Sequence, residues 1–235
     1  MKKIGILGGL GPEATVDYYN AIINRYKEIN DGRLNYPEII IYSVNMDNFI
    51  GKVKAKKYDE AIDYLSVGLN ALERAGADFI AVSANTPHLF FDELQKRVKV
   101  PMISIVEATA RNAKSLGLKK VGLIGTLFTM ENDFFAKVFE KYSIEVVTPN
   151  DEDKEFLNHK LFTEIELGIF KDDTRKEIED RILKMQKDSG IEGIILGCTE
   201  FPLILKEKEY NGVISLNTTE IHVNEIFDTS RGAPA

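Results

Sequence analysis

The chain has one cysteine, Cys198, in 235 residues. A lone cysteine excludes an internal disulfide and suits a reducing compartment, so a cytoplasmic location is expected. Tryptophan is absent and histidine is rare, with three residues. Those histidines and the one cysteine show no metal-ligand spacing, so no metal site is expected. No apolar run approaches the roughly 18 residues that span a membrane. The opening Met1-Lys2-Lys3-Ile4 resembles a signal peptide only briefly, because Gly8, Gly9, Gly11 and Pro12 break the apolar stretch. An excess of positive charge is also missing. The net charge is -7 and Lys and Arg are scattered, which argues against nucleic acid as a partner. Four lysines between Lys52 and Lys57 read as a solvated face. There is no Gly-x-Gly-x-x-Gly, no Gly-Lys-Ser/Thr loop and no Gly-x-Ser-x-Gly elbow. Dinucleotide, P-loop and serine-hydrolase chemistry therefore have no support.

What is present is an α/β pattern. Lys3-Ile4-Gly5-Ile6-Leu7, Ile39-Ile40-Ile41-Tyr42, Phe79-Ile80-Ala81-Val82 and Met102-Ile103-Ser104-Ile105 are unalternating apolar runs, as in parallel strands buried on both faces. Helical stretches at 12–29, 59–75 and 89–97 separate them, which predicts βαβ units. The pattern then repeats. Lys120-Val121-Gly122-Leu123-Ile124-Gly125 matches the first run, Ile144 to Val147 the second, Ile194 to Gly197 the third and Val213 to Leu216 the fourth. Gly76 to Thr86 and Gly190 to Glu200 align without a gap at an offset of 114, which sets Ala84 opposite Cys198.

The fold class expected is two similar Rossmann-like α/β domains with parallel sheets, related by internal duplication, with a site in the cleft between them. The domains are placed at 1–99 plus 213–235 and at 100–212. In such folds ligands bind beyond the carboxyl ends of the strands, near helix N-termini. Those ends carry small, hydroxylated or amide residues: Gly8-Gly9-Leu10-Gly11, Ser43-Val44-Asn45, Ala84-Asn85-Thr86, Gly125-Thr126, Cys198-Thr199-Glu200 and Asn217-Thr218-Thr219. Such a set suits a small anionic molecule held by neutral hydrogen bonds.

Gly8 to Glu13 reads as a tight strand-to-helix turn or a carboxylate-binding turn, with Pro12 in the first helical position. Cys198 reads either as a buried hydrophobe or as a reactive thiol. Its place after a strand, near a helix N-terminus, favours the second and a lowered pKa. His88 and His222 stand at matched places and are either structural or bases for the thiol. Glu13 and Glu200 read as capping carboxylates. The tail Arg231-Gly232-Ala233-Pro234-Ala235 reads as unstructured.

Taken together, Ile4 to Thr15, Asn85-Thr86-Pro87-His88, Gly122 to Thr126, Gly197-Cys198-Thr199-Glu200 and Thr218-Thr219-Glu220-Ile221-His222 resemble the cofactor-independent aspartate/glutamate racemases, in particular the aspartate racemase group. The resemblance implies a PLP-independent amino-acid racemase with no cofactor, acting on aspartate, glutamate or a related small amino acid, and usually a homodimer. It implies two cysteines on opposite faces of the substrate α-carbon, one removing and one returning the proton. Here one is Cys198 and the other is replaced by Ala84. It also implies substrate contacts at Gly9, Leu10, Asn85, Thr86, Thr126 and Thr199. Asn217 stands where an aspartate is common, and Glu166 lies in a stretch where a lysine serves aspartate racemases. Ser83, His88 and Asp47 are the candidates for the second proton transfer. A single-cysteine carbanion lyase and an impaired dicarboxylate-binding homologue are the alternative readings.

Overall fold

The computed structural model describes residues 1–233. The chain divides into two compact units, 1–105 with 222 onward, and 106–221. In the first unit β1 (Ile4–Gly8), β2 (Ile39–Ser43), β3 (Phe79–Val82) and β4 (Met102–Ile103) form a parallel sheet in the order β2-β1-β3-β4. Ile4 pairs with both Ile39 and Phe79, so β1 is central. Ile4, Ile6, Phe79 and Ala81 pack against Tyr18, Ile22 and Tyr26 of α1 (Pro12–Ile29). Pro12 opens that helix, where its missing N–H costs nothing. On the opposite face α3 (Tyr58–Arg74) approaches closely at Gly68, where a Cβ would lie 2.5 Å from Leu7. The shorter helices α2 (Met46–Lys54) and α4 (Phe91–Gln95) complete the unit together with the end of the chain.

The second unit follows the same plan. Its sheet runs β6-β5-β7-β9-β8, from β5 (Lys120–Ile124), β6 (Glu145–Val147), β7 (Gly193–Leu196), β8 (Glu209–Tyr210) and β9 (Val213–Asn217). The first four of these in spatial order are parallel and reproduce the first sheet. Val121 pairs with Gly193 as Ile4 pairs with Phe79. The core is built from Ile124, Leu157, Ile178, Ile182, Ile194, Leu196, Phe201 and Val213. Its helices include α5 (Ile105–Ser115), α6 (Leu127–Glu131), α7 (Phe134–Glu140), α8 (Asp151–Thr163), α9 (Asp172–Ser189) and α10 (Phe201–Ile204), and α11 (Thr218–Ser230) follows β9.

The duplicated α/β architecture read from the sequence is thus seen as two sheets of one strand order. Five details differ from expectation. Strand β9 pairs with β7 in the second sheet, so residues 213–221 belong to the second unit and the return to the first begins at His222, not at 213. Residues 100–105 belong to the first unit, because β4 pairs with β3. Strand β2 is not buried on both faces: it is an edge strand, and Ile41 and Tyr42 are exposed. An antiparallel strand, β8, was not anticipated. It reaches β9 through Asn211-Gly212, both at positive φ, the turn chemistry of a two-residue hairpin. The tail is ordered as far as Ala233, whose N–H bonds the Asp228 carbonyl; Pro234 and Ala235 lie outside the described residues. Among the described residues no helix is long and apolar enough to cross a membrane.

Candidate active-site residues

In the first unit the expected site residues gather at the carboxyl ends of the paired strands β1 and β3. Gly9 follows β1 at φ 81, and a Cβ there would lie 2.3 Å from the Val44 carbonyl. Only glycine fits that turn. The Gly9 N–H donates to Thr15 Oγ1 at 2.9 Å, and Thr15 Oγ1 donates in turn to the Gly11 carbonyl at 3.2 Å. Leu10 is buried within the same turn. Beyond β3, Ser83, Ala84 and Asn85 are all buried, and Thr86 opens a short 3-10 turn, Thr86–Phe90.

Two histidines clamp this end of the sheet. His88 Nδ1–H donates to the Ala84 carbonyl at 2.9 Å, and its Nε2 accepts the Ile105 N–H at 3.2 Å. His222 Nε2–H donates to the Ile103 carbonyl at 3.0 Å, and its Nδ1 accepts from the Tyr18 hydroxyl at 2.9 Å. The carbonyl partners fix each tautomer, because a carbonyl can only accept. Burial pulls the His88 pKa down to about 4 and that of His222 to about 3. Both rings are neutral near pH 7 with both nitrogens engaged, which is the structural role rather than that of a base. Ser83 Oγ faces the Leu7 carbonyl and Thr15 Oγ1. Asp47 is exposed in the first turn of α2.

The second unit holds the counterpart at β5 and β7. Thr126 caps α6, its Oγ1 accepting the Thr129 N–H at 3.2 Å. Gly197 brings the chain past β5, where a Cβ would lie 2.8 Å from Leu123 and 2.9 Å from the Ile124 carbonyl. Cys198 follows, 8% exposed. Its thiol donates to Glu200 Oε2 at 2.9 Å, and Thr199 Oγ1 donates to the same oxygen at 2.8 Å. Glu166 Oε1 stands 3.9 Å from the sulfur. Asn217 Oδ1 accepts the Glu220 N–H at 3.1 Å and so caps α11.

Two expectations are corrected here. Glu200 occupies the N-cap position of α10 but makes no cap hydrogen bond with its side chain; its carboxylate is turned to the thiol. The Cys198 pKa is not lowered. Burial raises it well above the ordinary thiol value, and the negative charges of Glu200 and Glu166 raise it further. A four-residue helix offers too little dipole to oppose them. The resting group is a protonated thiol. Linear spacing gives no sign of Glu166, 32 residues before the cysteine. It is carried by a 3-10 turn, Ile165–Leu167, which ends at Gly168 with φ 72. Ligand atoms of Glu166, Cys198 and Glu200 all lie within 4.8 Å of one another, a grouping that the spacing of histidine and cysteine does not display.

A family model described as Asp/Glu/Hydantoin racemase matches residues 7–226. The broad specificity amino-acid racemase RacX of Bacillus subtilis (strain 168) is 32% identical over 148 residues, 61% of this chain; the match spans 63% of that protein's length. The glutamate racemase of Aquifex pyrophilus is 27% identical over 219 residues, covering 91% of this chain and 77% of the relative. An aspartate racemase homologue from Pyrococcus horikoshii OT3 superposes with a TM-score of 0.87 at 42% identity, over 98% of this chain and all of that one.

Proposed function

Because the chain belongs to the Asp/Glu/Hydantoin racemase family, we propose that it moves the α-proton of a small amino acid without a cofactor, with Cys198 as the acid/base. The observation that carries this is the thiol–carboxylate pair: Cys198 donates to Glu200 at 2.9 Å at the end of a central strand. A thiol held protonated is loaded to give a proton to a carbanion. Once it has done so, the sulfur is a thiolate able to take the proton back. To begin as a base, it first passes its proton to Glu200. In each case the proton moves between sulfur, carbon and carboxylate, and no oxidant or metal is needed.

Asn85, Thr86, Thr126, Thr199 and the Gly9-Leu10 turn are proposed as substrate contacts, on the family resemblance. Amide and hydroxyl donors of this kind stabilise the enolate charge that develops as the α-proton leaves. A relative named for broad specificity supports leaving the amino acid open beyond aspartate and glutamate. A cytoplasmic homodimer is proposed on the resemblance and the single cysteine, and light scattering tests the assembly.

Ala84 has no proton to give or take, so only one complete proton-transfer group is proposed. Such an enzyme exchanges the α-proton with solvent on the Cys198 face more readily than it inverts the carbon. The test is proton NMR of a panel of amino acids, both enantiomers, in deuterated buffer. Loss of the α-proton signal is expected with the wild type and not with Cys198→Ala; no exchange with any amino acid contradicts the proposal. The protonated thiol, whose counterpart in the repeat is a methyl group, also favours a second reading, a carbanion lyase that protonates one face. Release of carbon dioxide from a substituted malonate identifies that activity.

A further inference from the structure

We propose that Glu164 is a positioning residue, which fixes the turn that brings the Glu166 carboxylate to the Cys198 thiol; the proposal builds on the site read at Cys198 and adds a residue to it. Glu164 ends α8 and is buried, with 8% of its surface accessible. Both of its carboxylate oxygens are engaged. Oε1 accepts from Lys160 Nζ at 3.0 Å and lies 3.1 Å from Lys171 Nζ, and Oε2 accepts from the Thr174 hydroxyl. Lys160 belongs to α8, Lys171 immediately precedes α9 and Thr174 lies in its first turn. One carboxylate therefore joins the end of α8 to the start of α9, across the 3-10 turn Ile165–Leu167 that carries Glu166. The Thr174 hydrogen bond, followed by that of Lys160, pulls the Glu164 pKa down to about 2, so the group is ionised wherever the thiol titrates.

The backbone of the turn hangs on the same residue. The Glu164 carbonyl accepts the N–H groups of Leu167 and Ile169, each at 3.0 Å, while its own N–H donates to the Lys160 carbonyl at 3.1 Å. Ile165 is buried in the apolar core that also holds Cys198 and Phe201. The Glu166 backbone is thus gripped by Ile165 in the core and by Glu164 behind the turn. A long side chain on an exposed residue keeps its direction only if its backbone is held. Buried ion pairs contribute little to net stability compared with apolar packing, and their best-attested use is to fix one arrangement. What this one fixes is the approach of Glu166, whose Oε1 stands 3.9 Å from the sulfur. The carboxylates that act on the thiol are those of Glu200 and Glu166. The Glu200 carboxylate is set by its own bonds to Cys198 and Thr199. That of Glu166 depends on the turn, and its effect on the thiol weakens with distance.

The test is a double-mutant cycle read by the pH dependence of iodoacetamide alkylation, which follows the Cys198 thiolate. Glu166→Gln is expected to lower the inflection, and Glu164→Gln to lower it by at least about half as much. In the double variant the inflection is expected to match that of Glu166→Gln alone, because a residue that acts through Glu166 has nothing left to position. An unchanged inflection in either single variant overturns the proposal, and so do shifts that add, since those mark a direct effect of the Glu164 charge. Thr174→Val and Thr174→Ser carry the test if Glu164→Gln does not fold: the first loses the hydroxyl and is expected to lower the inflection, and the second keeps it and is expected to hold the wild-type value. Equal inflections in the two overturn the proposal. Loss of the α-proton signal in deuterated buffer is followed on the same variants. Inflections that shift as expected, with no exchange from any amino acid, uphold the positioning role and overturn the racemase reading.

Discussion

At Cys198 two effects of opposite sign compete. A helix N-terminus lowers a thiol pKa by an interaction worth about 0.3–1 kcal/mol. A carboxylate hydrogen-bonded at 2.9 Å in a buried site opposes ionisation by on the order of a few kcal/mol, and burial acts in the same direction. The carboxylate and burial win. The cysteine itself was legible in the sequence, as the end of a strand repeated at Ala84. Its protonation state was not, because that depends on where the Glu200 carboxylate turns and on Glu166 reaching it from another element. Since the chain has one thiol, alkylation reports on Cys198 alone. The rate of reaction with iodoacetamide against pH is expected to inflect above the roughly 8.5 of a free cysteine, and to inflect lower in Glu200→Gln. A wild-type inflection at or below that of free cysteine contradicts the assignment.

Among the elements, those joined by the buried histidines set the acid limit of the fold. His88 ties the end of β3 to the first residue of α5, and His222 ties α11 to β4 and α1. Their folded pKa values, about 4 and about 3, lie below the ordinary 6.5. Between those values and 6.5 the unfolded chain binds more protons, so stability rises with pH across that window. The contribution is fully present above pH 6.5, is lost as pH falls, and is gone below about pH 3. At His88 alone it is roughly 3 kcal/mol. The urea midpoint is expected to fall steadily from pH 6.5 to pH 4, and more shallowly in His88→Gln; equal slopes contradict the clamp. The strands that pair in parallel are legible as apolar runs, and α1 begins and ends where expected because Pro12 and the apolar spacing mark it. The exposure of β2 was not legible, since an apolar run looks the same in a central and an edge strand until the order of pairing is known. The Asn211-Gly212 hairpin carried its turn signal in plain view beside two short strands.

For the whole molecule the duplication explains why the candidate site residues fall where they do. Each unit presents the ends of its first and third strands, β1 with β3 and β5 with β7, as a matched pair. The repeat in the sequence therefore discloses Ala84 as the counterpart of Cys198. The boundary within the repeat was harder to see, because β9 joins the second sheet while the following helix carries the chain back to the first unit. A protein duplicated in fold but not in thiols is expected to be duplicated only in part in its chemistry. The most direct test follows α-proton exchange and inversion of the α-carbon together, in one sample in deuterated buffer, for the wild type and for Ala84→Cys. The expected result is exchange at least about tenfold faster than inversion in the wild type, with the two rates converging in Ala84→Cys as the second acid/base is restored. Equal rates of exchange and inversion in the wild type, unchanged by the added cysteine, would contradict the account.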